Sequence, residues 1–193
     1  LTASIYTSRE GLDTLLLEKG LCGGLPATTD LIENNPGFPN GINGMELIDK
    51  FKEQALRFGT NILEFKEVKT IEPVGERIKV QTDEEEYNAY AVIVASGSIP
   101  KKLNIPGEEK QIEVSGVFIY IGYLPNSKFL EGIVELDDLG YIITNEKMET
   151  SIPGIYAVGD IRSKKVRQID VACGEGTIAA ISANDYLKEL ILI

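Results

Sequence analysis

The passage that most narrows the folds open to this chain is Ser151-Ile152-Pro153-Gly154-Ile155-Tyr156-Ala157-Val158-Gly159-Asp160. It reads as a Pro-Gly turn, a short unbroken apolar strand over 155–158, and a Gly-Asp pair at the strand's carboxyl end. An unbroken apolar run, unlike an alternating one, suits a strand covered on both faces, which points to a parallel sheet between other layers. Glycine lets a ligand come close to the backbone, and an aspartate at a strand's carboxyl end can accept a hydrogen bond from a ligand hydroxyl. A plain loop aspartate is the alternative.

Similar runs recur. Thr14-Leu15-Leu16-Leu17 ends in Glu18, Ala91-Val92-Ile93-Val94-Ala95 ends in Ser96-Gly97, and a buried strand is expected over 117–121. Residues 1–10 suit a helix stopped by Gly11, and Leu1 reads as a cut point rather than a natural beginning. From Gly20 to Gly44 the chain is rich in Gly, Pro, Thr and Asn and reads as a long functional loop. A helix is expected over 45–58, where Leu47, Ile48, Phe51, Ala55 and Phe58 share one face and Gly59 follows. Residues 61–64 suit a strand, and 67–90 a three-stranded meander turned at 73–76 and 83–85. A charged stretch at 106–113 reads as a linker or scar. A strand at 141–143 and a last helix over about 168–190 complete the pattern. The expected architecture is a three-layer α/β, Rossmann-like domain: a central parallel sheet with helices on one face and the antiparallel meander on the other.

Several functions are excluded. Nineteen basic against thirty acidic residues give a net charge of -11, the wrong sign for a nucleic-acid partner. No apolar run is long enough for a membrane span, and the start lacks the pattern of a secretory signal, so a cytoplasmic location is expected. There is no histidine, which removes the commonest general base and most zinc sites. The two cysteines, Cys22 and Cys173, are far apart in sequence and form no CxxC pair; isolated cysteines are usually small buried hydrophobes.

A strand that ends in an acid, soon after a helix, is how a dinucleotide fold holds an adenosine ribose, because the carboxylate accepts both hydroxyls. Glu18 fits that place, although a solvated strand edge would also carry an acid. The GxGxxG that should accompany it would lie just before Leu1. If the chain truly starts at Leu1, the central sheet has a gap and the dinucleotide is held poorly. In the passage Arg167-Gln168-Ile169-Asp170-Val171-Ala172-Cys173-Gly174-Glu175-Gly176, the free amides that open the last helix favour negative charge, and its glycines allow close packing. An ordinary glycine-containing core helix is the alternative there.

Three motifs in order resemble the low-molecular-weight thioredoxin reductases, FAD- and NAD(P)-binding flavoprotein reductases. The first is the loop Gly23-Gly24-Leu25-Pro26-Ala27-Thr28-Thr29-Asp30-Leu31-Ile32-Glu33-Asn34-Asn35-Pro36-Gly37-Phe38-Pro39, with Leu25 where that family usually has glutamine. The second and third are 151–160 and the Arg-Gln helix start. Ala95-Ser96-Gly97 matches the family's Ala-Thr-Gly signature, with serine in place of threonine.

The resemblance implies FAD contacts at Glu18, Lys19, Gly23, Gly24, Thr29, Asn34, Val68 (whose backbone would meet the adenine), Ala95, Ser96, Gly97, Gly159, Asp160, Arg167, Gln168, Ile169 and Ala172. No metal and no catalytic residue are expected in this chain. A family member should continue after Ile105-Pro106-Gly107 into a second domain that holds the NADP(H) site and the CxxC pair. Here 111–193 re-enter the FAD domain begun by 1–110, the halves joining near Lys110, so that second domain is skipped. In the complete enzyme electrons would pass from NAD(P)H through FAD to the CxxC disulfide and a thioredoxin-like partner, in a homodimer. A flavin-binding module without its own turnover is one alternative. A relative that uses ferredoxin or another donor, suggested by Leu25, is a second.

Overall fold

The structure, a computed structural model, describes residues 1–102, 111, 113–115 and 121–191. The strand expected over 117–121, the stretch 106–113 and the join near Lys110 lie, save for residues 111, 113 and 121, outside the described residues.

Helix α1 (Thr2–Arg9) ends at Gly11, whose φ of +82° lies in the region glycine enters without strain. Strand β1 (Leu15–Glu18) pairs in parallel with β2 (Asn61–Glu64), Glu18 opposite Glu64. Between them the chain makes a short helix, α2 (Gly24–Ala27), and the amphipathic α3 (Gly44–Arg57). The side-chain oxygen of Asn43 caps α3 by accepting from the amides of Met45 and Glu46 at 3.0 and 3.3 Å. Leu47, Ile48 and Ala55 are its buried residues along with Gly44, and Gly59 follows its end at φ +92°. The meander is as expected: β3 (Val68–Val74), β4 (Arg77–Thr82) and β5 (Glu86–Ala89), with an irregularity between Val68 and Thr70. Strand β6 (Val92–Val94) is followed by β7 (Ser98–Pro100), which pairs antiparallel with β8 (Tyr123–Pro125). A 3₁₀ turn at Lys128–Leu130, strand β9 (Ile155–Ala157), a second 3₁₀ turn at Gly159–Ile161 and the long helix α4 (Ile169–Ile191) follow.

Strand β9 lies parallel to β6, so the two halves of the chain share one ladder. Alternate residues of a strand face opposite sides, and the two sides here are covered differently. Val94, Ile155 and Ala157 pack with the meander residues Ile71, Ile78 and Val80 and with Leu130 and Ile142. Tyr156 and Val158 pack instead with Ala179 and Ala183 of α4 and with Met148. Helix, parallel strands and meander are the three expected layers.

Three details differ from expectation. The parallel strands form two separate two-stranded ladders, β1-β2 and β6-β9, and among the described residues no strand joins them. With one neighbour each, strands expected to be buried on both faces are only partly covered: Leu15 is exposed, while Leu16, Leu17, Val92 and Ile93 are half-buried. Residues 141–143 make no strand. Ile142 is fully buried but forms only single bridges to Leu136 and Arg162, because its burial comes from the core between meander and ladder. The 20–44 loop holds one short helix and is closed by a bridge between Ile32 and Ile42. Among the described residues, no helix is long and apolar enough to cross a membrane.

Candidate functional site

The end of β1, the 20–44 loop, the Gly159 turn and the start of α4 are tied to one another by specific bonds. Glu18 and Glu64 lie side by side at the carboxyl ends of β1 and β2, but their surroundings differ. Glu64 accepts from the Cys22 amide at 2.8 Å and pairs with Lys52 at 2.7 Å. The Cys22 amide and Lys52 hold its carboxyl below the usual carboxylate range. Glu18 accepts only from the Gly20 amide, at 3.0 Å through Oε1, among the described residues. Its other oxygen is left to accept from something else, and the neighbouring Lys19 is exposed.

The loop itself is anchored. Gly23 and Gly24 have φ of +138° and +57°, and a Cβ on Gly23 would stand 2.6 Å from that of Ala27. Thr29 closes the segment: its carbonyl accepts from the Gly44 amide at 2.9 Å, and its exposed hydroxyl donates to the Leu25 carbonyl at 3.4 Å. Further along, Asn34 Nδ2 donates to Gln168 Oε1 at 3.0 Å, and Asn35 Nδ2 to Asp170 Oδ1 at 2.7 Å. Two candidate residues 134 positions apart in sequence thus meet directly. Ile169 packs beneath them against the Ile32, Ile42 and Leu47 cluster.

Gly159 follows β9 with φ +74°, and a Cβ there would lie 3.6 Å from that of Ala172. The turn that carries Asp160 therefore lies directly on the start of α4. The first amides of a helix have no acceptor within it, and among the described residues those of Ile169, Asp170 and Val171 bond to no other group. Asp160 is partly exposed, with Lys164 3.5 Å away. Helix α1 meets α4 where a Cβ on Gly176 would come within 3.2 Å of the Ala3 amide nitrogen. Thr2 Oγ1 donates to Cys173 Sγ at 3.2 Å.

Other candidates are placed less directly. Val68 opens β3 and rests its side chain on the core. Ala95 and Ser96 are exposed and Gly97 has φ +65°; Ser96 is stapled to Asn126, its hydroxyl donating to the Asn126 carbonyl at 3.0 Å while Asn126 Nδ2 donates back at 2.8 Å. Arg167 lies over the Tyr141 ring at 4.5 Å and donates to the Lys164 carbonyl at 3.1 Å. Glu175, Arg162 and Lys164 escaped the sequence reading. The available signal was an ionisable residue between Gly174 and Gly176, in a helix start that, Asp170 apart, is made of small and apolar residues.

Cys22 is buried, and burial first, then Glu64, pushes its thiol up to about 11. At pH 8 the thiolate is then on the order of one molecule in a thousand. Iodoacetamide is expected to modify Cys22 about a hundredfold more slowly in the folded chain than in urea. Peptide mapping by mass spectrometry reads this out, and rapid labelling of Cys22 in the folded chain would contradict it.

Residues 28–118 and 107–176 each match the pyridine nucleotide-disulphide oxidoreductase family. The thioredoxin reductase of Bacillus subtilis (strain 168) is 30% identical over 292 aligned residues, covering 98% of this chain and 92% of that protein. The thioredoxin reductase of Lactococcus lactis superposes with a TM-score of 0.89 at 28% identity, over 97% of this chain and 95% of that one. A ferredoxin-flavin thioredoxin reductase from Clostridium acetobutylicum shares the fold, with a TM-score of 0.78 at 18% identity over 100% and 94% of the two chains. This chain belongs to the thioredoxin reductase family of pyridine nucleotide-disulphide oxidoreductases.

Proposed function

We propose that these residues are the FAD-holding part of a thioredoxin-reductase-like disulfide oxidoreductase, with 1–110 and 111–193 as two parts of one FAD domain. The observation that carries this reading is the seating of the Gly159-Asp160 turn on a helix start with three amides unpartnered among the described residues, beside the loop bearing Asn34. The residues fit an extended, anionic, polyhydroxylated cofactor. Glu18 and Asp160 each keep acceptor capacity, and the α4 amides favour negative charge. Among the described residues, a Cβ on Gly24, Gly97 or Gly174 would meet nothing within 4 Å, which leaves room against the backbone.

On this reading Glu18 would accept from the ribose hydroxyls, Asp160 would accept from the ribityl chain, and the α4 amides would favour negative charge on the flavin. Thr29, Asn34 and Gln168 supply further polar contacts, while Gly159 and Ala172 keep helix and turn in register. Bound there, FAD supplies the step between a two-electron hydride donor and a disulfide. This chain's part is to bind, orient and tune it electrostatically. The NAD(P)H site and the CxxC pair that reduces a thioredoxin-like protein belong to the complete enzyme, expected as a cytoplasmic homodimer. In support, the alignment with the Bacillus subtilis protein runs over 292 positions, more than the 193 residues here can fill.

Titrating the chain with FAD and following flavin fluorescence tests the reading. Asp160→Ala is expected to weaken binding by roughly ten- to a hundredfold, the value of a hydrogen bond to a charged acceptor, with circular dichroism unchanged. A chain that binds no FAD, or binds it equally well without Asp160, would remove the proposal. A second reading, a flavin module without turnover of its own, is favoured by the wide separation of the two cysteines. An assay with NADPH and a disulfide substrate distinguishes the two, since disulfide reduction by these residues alone would exclude the second.

A further inference from the structure

Resting on the reading of Asp160 as a flavin contact, we propose that Glu175 is a positioning residue that draws Lys164 away from Asp160 and so keeps that carboxylate available to the cofactor. Glu175 is 6% exposed, on a helix whose other early residues, Asp170 apart, are small or apolar. Its Oε2 accepts from the Gly159 amide at 2.7 Å, and its Oε1 from Arg162 Nη1 at 2.7 Å. Lys164 Nζ donates to the same Oε2 at 3.1 Å and stands 3.5 Å from Asp160 Oδ1. Arg162 is fixed in turn by Thr144, whose hydroxyl accepts from its Nε at 2.8 Å.

Two cations and two carboxylates thus share one partly enclosed site, and they are not equivalent. The Lys164 and Glu175 side chains are 7% and 8% exposed, whereas that of Asp160 is 29% exposed. A buried ammonium needs a carboxylate nearby. With Glu175 charged, Lys164 lies nearer to it than to Asp160. With Glu175 neutral, Asp160 is the carboxylate that remains within ion-pair distance of Lys164, and pairing withdraws an acceptor oxygen from any ligand hydroxyl. Glu175 touches no cofactor atom in this scheme and acts through Lys164.

The test uses the FAD titration with the variants compared at matched folding, checked by circular dichroism. Glu175→Gln keeps an oxygen for the Gly159 amide and loses only the charge, and is expected to weaken FAD binding by roughly ten- to a hundredfold. Adding Lys164→Met to that variant should recover most of the loss, because the competitor for Asp160 is gone. If Glu175 merely held the turn together, removing another of its contacts would restore nothing. Lys164→Met alone is expected to tighten binding by roughly two- to fivefold, the range of a partly exposed ion pair, and it settles the matter even if Glu175→Gln does not fold. Weaker binding in Lys164→Met, an unchanged affinity in Glu175→Gln, or a folded double variant that recovers nothing overturns the proposal. Asp160→Ala, run in parallel, separates the two ideas: if it leaves FAD affinity unaltered, the flavin reading itself has failed.

Discussion

Gly44→Ala is expected to destabilise the fold by about 3 kcal/mol or more, the upper range for overpacking. A Cβ built on Gly44 stands 1.9 Å from the Pro26 carbonyl oxygen and 2.7 Å from that of Thr29. Both obstacles are backbone atoms, so no side-chain rotation relieves them. The start of α3 would have to move away from the end of α2. That motion breaks the 2.9 Å bond from the Gly44 amide to the Thr29 carbonyl and pulls on Asn43, whose Nδ2 donates to the Asp30 carbonyl at 3.0 Å. Losing a cap of this kind costs about 1 kcal/mol by itself. Gly174→Ala supplies the contrast. It lies within α4 with nothing among the described residues within 4 Å of its Cβ position, and should gain up to about 1 kcal/mol from helix propensity. Urea denaturation of the two variants reads both effects. A Gly44→Ala midpoint equal to the parent's would show that the contact between α2 and α3 is looser than described.

The steric demand at Gly44 illustrates what sequence could and could not disclose. Helix α3 was legible because its apolar spacing, the Gly59 stop and its exposed polar face are local properties. The meander was legible for the same reason, through alternation such as Ile78 and Val80 between two turns. Gly44 stood only as the end of a loop, since its crowding depends on where Pro26 and Thr29 lie in space. Sheet continuity is likewise non-local. Leu15-Leu16-Leu17 reads as a doubly buried strand, but burial on both faces needs neighbours that the strand's own residues do not specify. Ile142 errs in the other direction, an apolar residue read as part of a strand although its burial comes from side-chain packing rather than pairing.

The site divides in the same way. The placement of Asp160 and Glu18 just after strands was legible because an acid at a strand's carboxyl end is a local pattern. The meeting of Asn34 with Gln168 brings together motifs that were each recognisable, although nothing local to either predicts the bond. Asn126, which staples Ser96, and the Glu175, Arg162 and Lys164 group were not legible. Asn126 meets Ser96 across 30 positions, and Glu175 meets Gly159, Arg162 and Lys164 only once the start of α4 folds back on the turn before it.

That dependence on a shared core makes Leu47→Ala the second large effect. Leu47 is fully buried on α3, in a cluster with Ile32 and Ile42 against which Phe38, Phe51 and Ile169 pack. It is the point where α3, the closed loop and the first residue of α4 meet. Removing its side chain is expected to cost about 3 to 4 kcal/mol, because the loss of buried methyl groups adds to the cavity left behind. The loss should concentrate locally. The bridge from the Ile32 amide to the Ile42 carbonyl at 2.8 Å, and its return bond at 3.0 Å, are held in register by this cluster. Amide exchange at Ile32 and Ile42 should therefore accelerate more than at Ile78 and Val80, which belong to the separate core between meander and ladder. On the flavin reading the same variant weakens FAD binding, since the segment carrying Asn34 loses its anchor beside Gln168. Uniform acceleration at all four amides would mean that the loop and the main core unfold as one unit. The candidate site would then owe its shape to the stability of the whole molecule rather than to the small cluster beneath it.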